Sequence, residues 1–290
     1  MLNTFTYQHR TSCHAIYIAH QMCRLLYFDR NGAFVSTPFD WTATTSPLHT
    51  FLWKLAHQEA SQMGYDPTAV PASEDEAGRF RQMATEPSVP LEVRQYVERA
   101  ISHSCPLYKL RITPSPPTAD EKFPDDPDPL TPPLQEPYGG AGDHYFIVGR
   151  PHFSAESLIG RCTRGYVALQ LGDKVDGSAD ALCFLKDCWR PYVPGRTRPE
   201  HLVYERLHRH KVPYVATLIC GGDVGGLRAQ RTEVQDYLFT EERTKQPVPR
   251  VHYRICTKEI GLPLTEFANF RELAFIFVDA IKGTYPTIVK

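Results

Sequence analysis

Several familiar functional signals are missing from these 290 residues. No run of 18 apolar residues occurs, so no transmembrane helix is expected. The polar start MLNTFTYQHR lacks the apolar stretch of a secretory leader. With 32 basic and 33 acidic side chains the formal net charge is −1, which leaves no global field to hold nucleic acid or an anionic membrane. The eight cysteines, at 13, 23, 105, 162, 183, 188, 220 and 256, include no C-x-x-C pair. No Cys/His cluster stands at zinc spacing, so no metal site is expected. Buried free thiols in a reducing intracellular compartment, cytoplasmic or nuclear, are the simpler reading. The twelve histidines are dispersed as well, and His208 and His210 read as solvent-facing. No internal repeat is visible.

What is abundant is proline, 25 in all, and nine of these lie between Thr113 and Gly142. Proline fixes φ and lacks a donor, so neither helix nor central strand can persist there. Residues 113–142 therefore read as a solvated, disordered linker or insert, and a Pro-rich ligand for a partner domain is the other reading. Residues 1–112 form an N-terminal α+β region. In it, two strands surround Asp29-Arg30-Asn31-Gly32, where Asn-Gly favours a hairpin through its tolerance of positive φ. Ser46 and Pro47 open a helix with Leu48, Phe51, Leu52 and Leu55 on one face. LEVRQYVERAI is a second helix and CPLYKLRIT a strand, while Trp41 and Trp53 read as core. Residues 143–290 are a second domain. HYFIVGRP, RGYVALQL, ALCFLKDCW, PYVATLIC and RVHYRICTKEI are its strands. RPEHLVYERLHRH and a closing stretch from Leu264 are its helices.

Chemistry concentrates in that second domain. Gly160-Arg161-Cys162-Thr163-Arg164-Gly165-Tyr166-Val167 matches G-x-G-x-x-G-x-V everywhere except Cys162. A lid of this kind uses glycine so that backbone amides can approach phosphates, with the valine under the base. By itself the match is weak. Lys186 ends an apolar run, Leu182-Cys183-Phe184-Leu185, where a lysine either snorkels to water or projects to hold phosphates. The second role needs a carboxylate partner on the next helix. Glu200 lies in line with a core stripe of Val203, Tyr204 and Leu207, whereas Glu205 does not, so Glu200 is the expected partner.

Lid, strand lysine and helix glutamate stand in the order of a protein-kinase N-lobe. The phrases MCRLLYFDRNGAFVSTPFD, GYDPT, GRCTRGYVAL, FLKDCWRP, RPEHLVYERL, VPYV and HYRICTKEIGLPLTEF, in that succession, resemble the fungal-type protein kinase family. The resemblance implies an α+β fold: a β-rich N-terminal region, taken as a separate layer, before a five-stranded antiparallel kinase-like lobe carrying one helix. It implies ATP as the nucleotide, with Mg²⁺, and Ser/Thr phosphorylation of protein substrates. Gly160, Gly165 and Val167 would cover the nucleotide, Lys186 would hold its phosphates, and Glu200 would orient Lys186. Thr257 to Gly261 would be the hinge, with Glu259 and Ile260 against the base. The chain departs from the family pattern after the hinge, where neither an HRD nor a DFG tripeptide occurs. Asp223-Val224-Gly225 imitates the latter but precedes the hinge, in a glycine-rich stretch read as a turn. No catalytic residue is therefore assigned. The expectation is a family member that lacks transfer activity, with a non-catalytic interaction module or truncated pseudokinase as the alternative.

Overall fold

The computed structural model describes Phe5 and residues 8–101, 105–123, 142–172, 179–237 and 247–288, with 284–288 by backbone alone. It is α+β, built on two antiparallel sheets. The smaller holds β1 (Cys13–Ala19), β2 (Met22–Asp29), β3 (Gly32–Val35) and β4 (Phe39–Asp40), with β2 pairing all three others. The hairpin falls where Asn-Gly placed it, with Asp29 opposite Gly32. Its cause is different. Neither Asn31 nor Gly32 has a positive φ. Instead the Asp29 carboxylate folds the turn by accepting from the amides of Asn31 and Gly32, at 2.7 and 3.1 Å. Its other oxygen accepts from Glu233 and Val234 N–H at 2.6 and 2.9 Å. One buried side chain thus shapes the hairpin and fastens it to a short 3-10 turn, Val234–Tyr237.

Helix α1 (Pro47–Ala56) starts where proline and its Ser46 cap predict. Only Leu48 of its apolar face is buried. Trp53 is not core: it is 63 % exposed and stacks on His57 at 4.4 Å, one helical turn on.

The larger sheet contains β5 (Ala69–Pro71), β6 (Tyr108–Ile112), β7 (His144–Val148), β8 (Phe153–Ser154), β9 (Arg164–Gln170), β10 (Ala181–Pro191), β11 (Leu218–Asp223) and β12 (Arg250–Thr257). Its order is β11-β12-β10-β9-β7-β6-β5, with β8 added on β9. The five strands expected after residue 143 are all present. They do not form a separate layer, because β6 and β5 of the N-terminal region continue the same sheet. The reason is the open edge of β7, whose unpaired backbone groups β6 satisfies through Tyr108 opposite Val148 to Ile112 opposite His144.

The sheet curls until its far edge meets the chain leaving β6. Ser115 N–H donates to the Gly221 carbonyl at 3.3 Å, and Asp223 N–H to Ser115 Oγ at 3.1 Å. The enclosed face holds Leu110, Phe146, Tyr166, Leu185, Cys220 and Cys256. On the outer face lie α2 (Glu74–Gln82), opened by a Ser73/Glu76 capping box, and α3 (Leu91–Ala100). Phe80, Tyr96 and Val97 of these helices pack on Ile147, Val167 and Leu169. Helix α4 (Glu200–Arg209) covers the other end of that face, and α5 (Phe270–Ile288) follows β12.

The Pro-rich stretch divides. Residues 124–141 lie outside the described residues, but 113–123 are ordered and packed. Glu121 is buried and paired with Arg190 at 2.8 Å, a role that proline content alone could not reveal. The glycine-rich run near Asp223 is likewise only partly a turn, since Gly221 and Gly222 lie inside β11 and the positive φ angles begin at Gly225. A Cβ at Gly221 would stand 2.7 Å from His201 Cβ, and one at Gly222 only 2.2 Å from the Thr113 carbonyl oxygen. All eight cysteines are free and buried. Among the described residues no helix is long and apolar enough to cross a membrane.

Close approach also fixes Gly149, at the end of β7. A Cβ there would lie 2.0 Å from the Ala100 carbonyl oxygen, whose own partner is Arg150 N–H at 2.8 Å. Gly149→Ala is expected to destabilise the fold by about 3 kcal/mol, because backbone rather than a movable side chain must yield. Urea unfolding checks this, and a change within error of zero would show that α3 does not press on β7.

Candidate functional site

The register of the large sheet sets Phe153, Gly165, Lys186, Ile255 and Gly221 in one row across β8, β9, β10, β12 and β11. Cross-strand partners share a face, so this row points outward, toward the helices. Two of its five positions are glycine. At Gly221 the missing side chain lets His201 and the first turn of α4 settle on the sheet. At Gly165 it leaves room for the Phe184 ring, whose tip would be 2.8 Å from a Cβ.

Between these gaps stands Lys186. Its ammonium meets Glu200 Oε2 at 2.7 Å, with 27 % and 36 % of the two side chains exposed. A pair this open contributes little to stability. Its value lies in placement, since it keeps a cation at a fixed point on a solvent-reachable face. Glu200 reaches it from the first turn of α4, although the helix is not turned as the sequence pattern suggested. His201 and Leu202 are buried and Val203 is exposed, because the gap at Gly221 accepts His201.

Lys186 projects outward because its neighbour is pinned inward. Asp187 is fully buried and accepts from Arg164 Nη2 and Arg254 Nε, each at 2.9 Å, while His252 Nε2 lies 3.0 Å away. Burial alone would push this carboxyl up. Arg164, His252 and Arg254 reverse that and hold it well below the usual carboxylate range. Arg254 also bonds Asp66 Oδ2 and Thr68 Oγ1, which ties the knot to the N-terminal region. Burial, with Arg164 and Arg254 close by, keeps His9 neutral, its pKa well below the ordinary imidazole value. Burial lowers that of His201 too.

The other expected residues are placed differently. Gly160 is in a loop at φ +111°, but its amide donates to the Arg30 carbonyl at 2.9 Å, so it docks on the β2–β3 hairpin. Cys162 is buried in the same loop with its thiol on the Leu158 carbonyl at 3.3 Å. Gly165 is in the ladder of β9, not in a flap. Val167 shares the face of Lys186, but it is 2 % exposed and covered by α2 and α3. Beyond β12, the Glu259 carboxylate accepts from Thr217 N–H and Oγ1 at 2.6 and 2.7 Å, and Ile260 packs against the cluster that α2 and α3 form with the sheet. Asp223 is buried and forms a two-point ion pair with Arg190 at 2.8 and 2.9 Å. His208 is not simply solvent-facing, since its Nε2 lies 3.0 Å from the Ala216 carbonyl oxygen. Sequence reading missed Phe153 and Phe184, the aromatic neighbours of Gly165. Phe153, at the β8 end of the row that holds Lys186, is 57 % exposed. The signal was available in the gap at Gly165, but only once strand register was known.

A family model described as fungal protein kinase matches residues 2–104 and 134–286. The chain belongs to the fungal protein kinase family. No curated protein and no solved structure matches it. The matched segments of this fungal kinase relative include Lys186, Glu200 and Asp187, and they leave out 105–133, the stretch containing β6 and the ordered part of the Pro-rich segment. Among the described residues no group of three or more His, Cys, Asp or Glu could hold a metal ion.

Two outcomes follow for the buried charges. Asp187→Asn leaves two arginines short of a counter-charge and is expected to cost about 3–5 kcal/mol in urea unfolding. The pH dependence has a defined sign. Below about pH 6.5 the unfolded chain takes up protons that His9 and His201 refuse in the fold. Stability should therefore fall between pH 7.5 and 5. The carboxylates Asp66 and Asp187, with depressed values, add their loss only below about pH 4, as pH drops through those values. A urea midpoint that stays flat from pH 7.5 to 5 would contradict the neutral histidines.

Proposed function

We propose that β7, β9, β10, β12 and β11, with α4 across them, act as the nucleotide-holding lobe of a protein kinase. In this reading Lys186 binds the α- and β-phosphates of ATP and Glu200 holds the ammonium in place. The observation that carries it is the 2.7 Å contact between these side chains on an accessible face, within a chain of the fungal kinase family. Phe153, exposed beside Gly165, offers an apolar surface for the base or ribose. The lid role of Gly160 and Gly165 is weakened by their placement, and Val167 has no free face for a base.

Mg²⁺ belongs to the family's chemistry, but the carboxylates here fit it poorly. Glu200 is committed to Lys186, Asp187 points into the enclosed face, and Asp223 is neutralised by Arg190. No step is therefore routed through a metal. A kinase base accepts the substrate hydroxyl proton, and a second acidic motif holds the metal that bridges the phosphates. Neither motif is found among these 290 residues, so this polypeptide is expected to bind nucleotide without transferring phosphate. Eight buried free thiols support an intracellular setting.

A second reading, a non-catalytic interaction module, draws on two observations. Helices α2 and α3 cover Val167, and α5 presents Phe270, Phe275, Phe277 and Ile281 to solvent.

Calorimetry with ATP, with and without Mg²⁺, separates the two. Lys186→Met should weaken binding by about 10- to 100-fold, the worth of one charge-assisted hydrogen bond. Equal affinity in the variant, or no heat at millimolar ATP with the natural chain, would sink the nucleotide reading. Phosphate transfer that vanishes in Lys186→Met would instead overturn the expectation of inactivity.

A further inference from the structure

We infer that the ordered start of the Pro-rich stretch, residues 113–123, is a strap that sets where α4 stands, and that His201 is the positioning residue through which it governs the Lys186–Glu200 contact. The inference rests on the nucleotide reading for its consequence, although its geometry does not.

The helix that carries Glu200 has no side-chain cap of its own: residue 199 is proline, and no cap hydrogen bond forms. Its first turn must be held by something else. The next residue along, His201, supplies the hold. Its backbone N–H donates to Tyr253 Oη at 2.8 Å, and its ring Nδ1 lies 3.0 Å from the same oxygen. Its Nε2 lies 3.0 Å from the Ser115 carbonyl oxygen. A carbonyl only accepts, so Nε2 carries the proton and donates to the strap, and Tyr253 donates to Nδ1. Every polar atom of the buried ring is then satisfied, and the first turn of α4 is clamped between β12 and the strap.

The strap is itself anchored independently of α4. Ser115 bonds Gly221 and Asp223 on β11, and Glu121 meets Arg190 of β10. It touches the region of α4 again where Arg198 donates to the Lys122 carbonyl at 3.0 Å. The Arg206 guanidinium lies over Phe123 at 4.4 Å. A segment bound to two strands, to two points along one helix and to Arg198 just ahead of it fixes that helix relative to the sheet. Glu200 stands beside His201 at the same turn, so a shift of the strap moves the carboxylate that holds Lys186. The strap falls between the two stretches that match the family model, 2–104 and 134–286.

The experiment needs a readout that does not require a bound nucleotide. Brief acetylation of the natural chain with acetic anhydride, followed by mass spectrometry, reports how well Lys186 is shielded by Glu200. His201→Leu removes the strap contact, and His201→Gln keeps a donor near the Nε2 position. Arg198→Ala loosens the strap from a half-exposed site and leaves the core intact. Lys186 should label severalfold faster in His201→Leu and Arg198→Ala, and His201→Gln should restore slow labelling. ADP affinity, by calorimetry, should fall in parallel. Where His201→Leu does not fold, Arg198→Ala decides. Unchanged Lys186 labelling in a folded Arg198→Ala, or equal labelling in the Leu and Gln variants, would overturn the strap. Faster labelling in a chain that binds no ADP at all would keep the strap and remove the nucleotide reading, so the two failures can be told apart.

Discussion

The architecture depends on one buried carboxylate. Asp187 gathers Arg164 from β9 and Arg254 and His252 from β12 into the enclosed face of the sheet. Through Arg254 it also reaches Asp66 and Thr68 ahead of β5. A charge removed from water is tolerable only when its partners arrive with good geometry, so the strands that bear them cannot slip in register. Because side chains alternate along a strand, pinning Asp187 inward fixes Lys186 outward. The accessible cation is a consequence of the buried knot.

Two glycines shape the surface on either side of that fixed cation. At Gly221 an absent Cβ lets His201 seat α4 deeply enough for Glu200 to reach the ammonium. At Gly165 the same absence opens the strip beside Lys186 to aromatic rings. Neither glycine acts through a positive φ. Both act through the space they leave.

The N-terminal region takes part in this arrangement throughout. It contributes two strands to the large sheet, two helices to the outer face, and Asp66 to the knot. Tyr96 of α3 donates to Glu266, beyond β12, at 3.1 Å. Lys109 and Arg79 add ion pairs to Glu76 and Asp180 at 2.8 Å each, joining α2 to β6 and to the chain just before β10. These contacts make the boundary at residue 112 a feature of composition more than of folding.

Local chemistry was legible in the sequence. Ser46-Pro47 opened a helix, Asn31-Gly32 marked a hairpin, and an out-of-place lysine with a helix carboxylate foretold the pair at 186 and 200. Those features depend on neighbours a few residues apart, or on a single charge that needs a partner. What only the tertiary structure decided was everything set by register and closure. The burial of Val167 under α2 and α3, the exposure of Trp53, the pairing of Asp223 with Arg190, and the ordering of residues 113–123 all depend on which distant segments meet. A proline-rich, acidic stretch looks solvated when read alone, and becomes structure only because Arg190 and His201 wait for Glu121 and the Ser115 carbonyl on the far edge of a curled sheet.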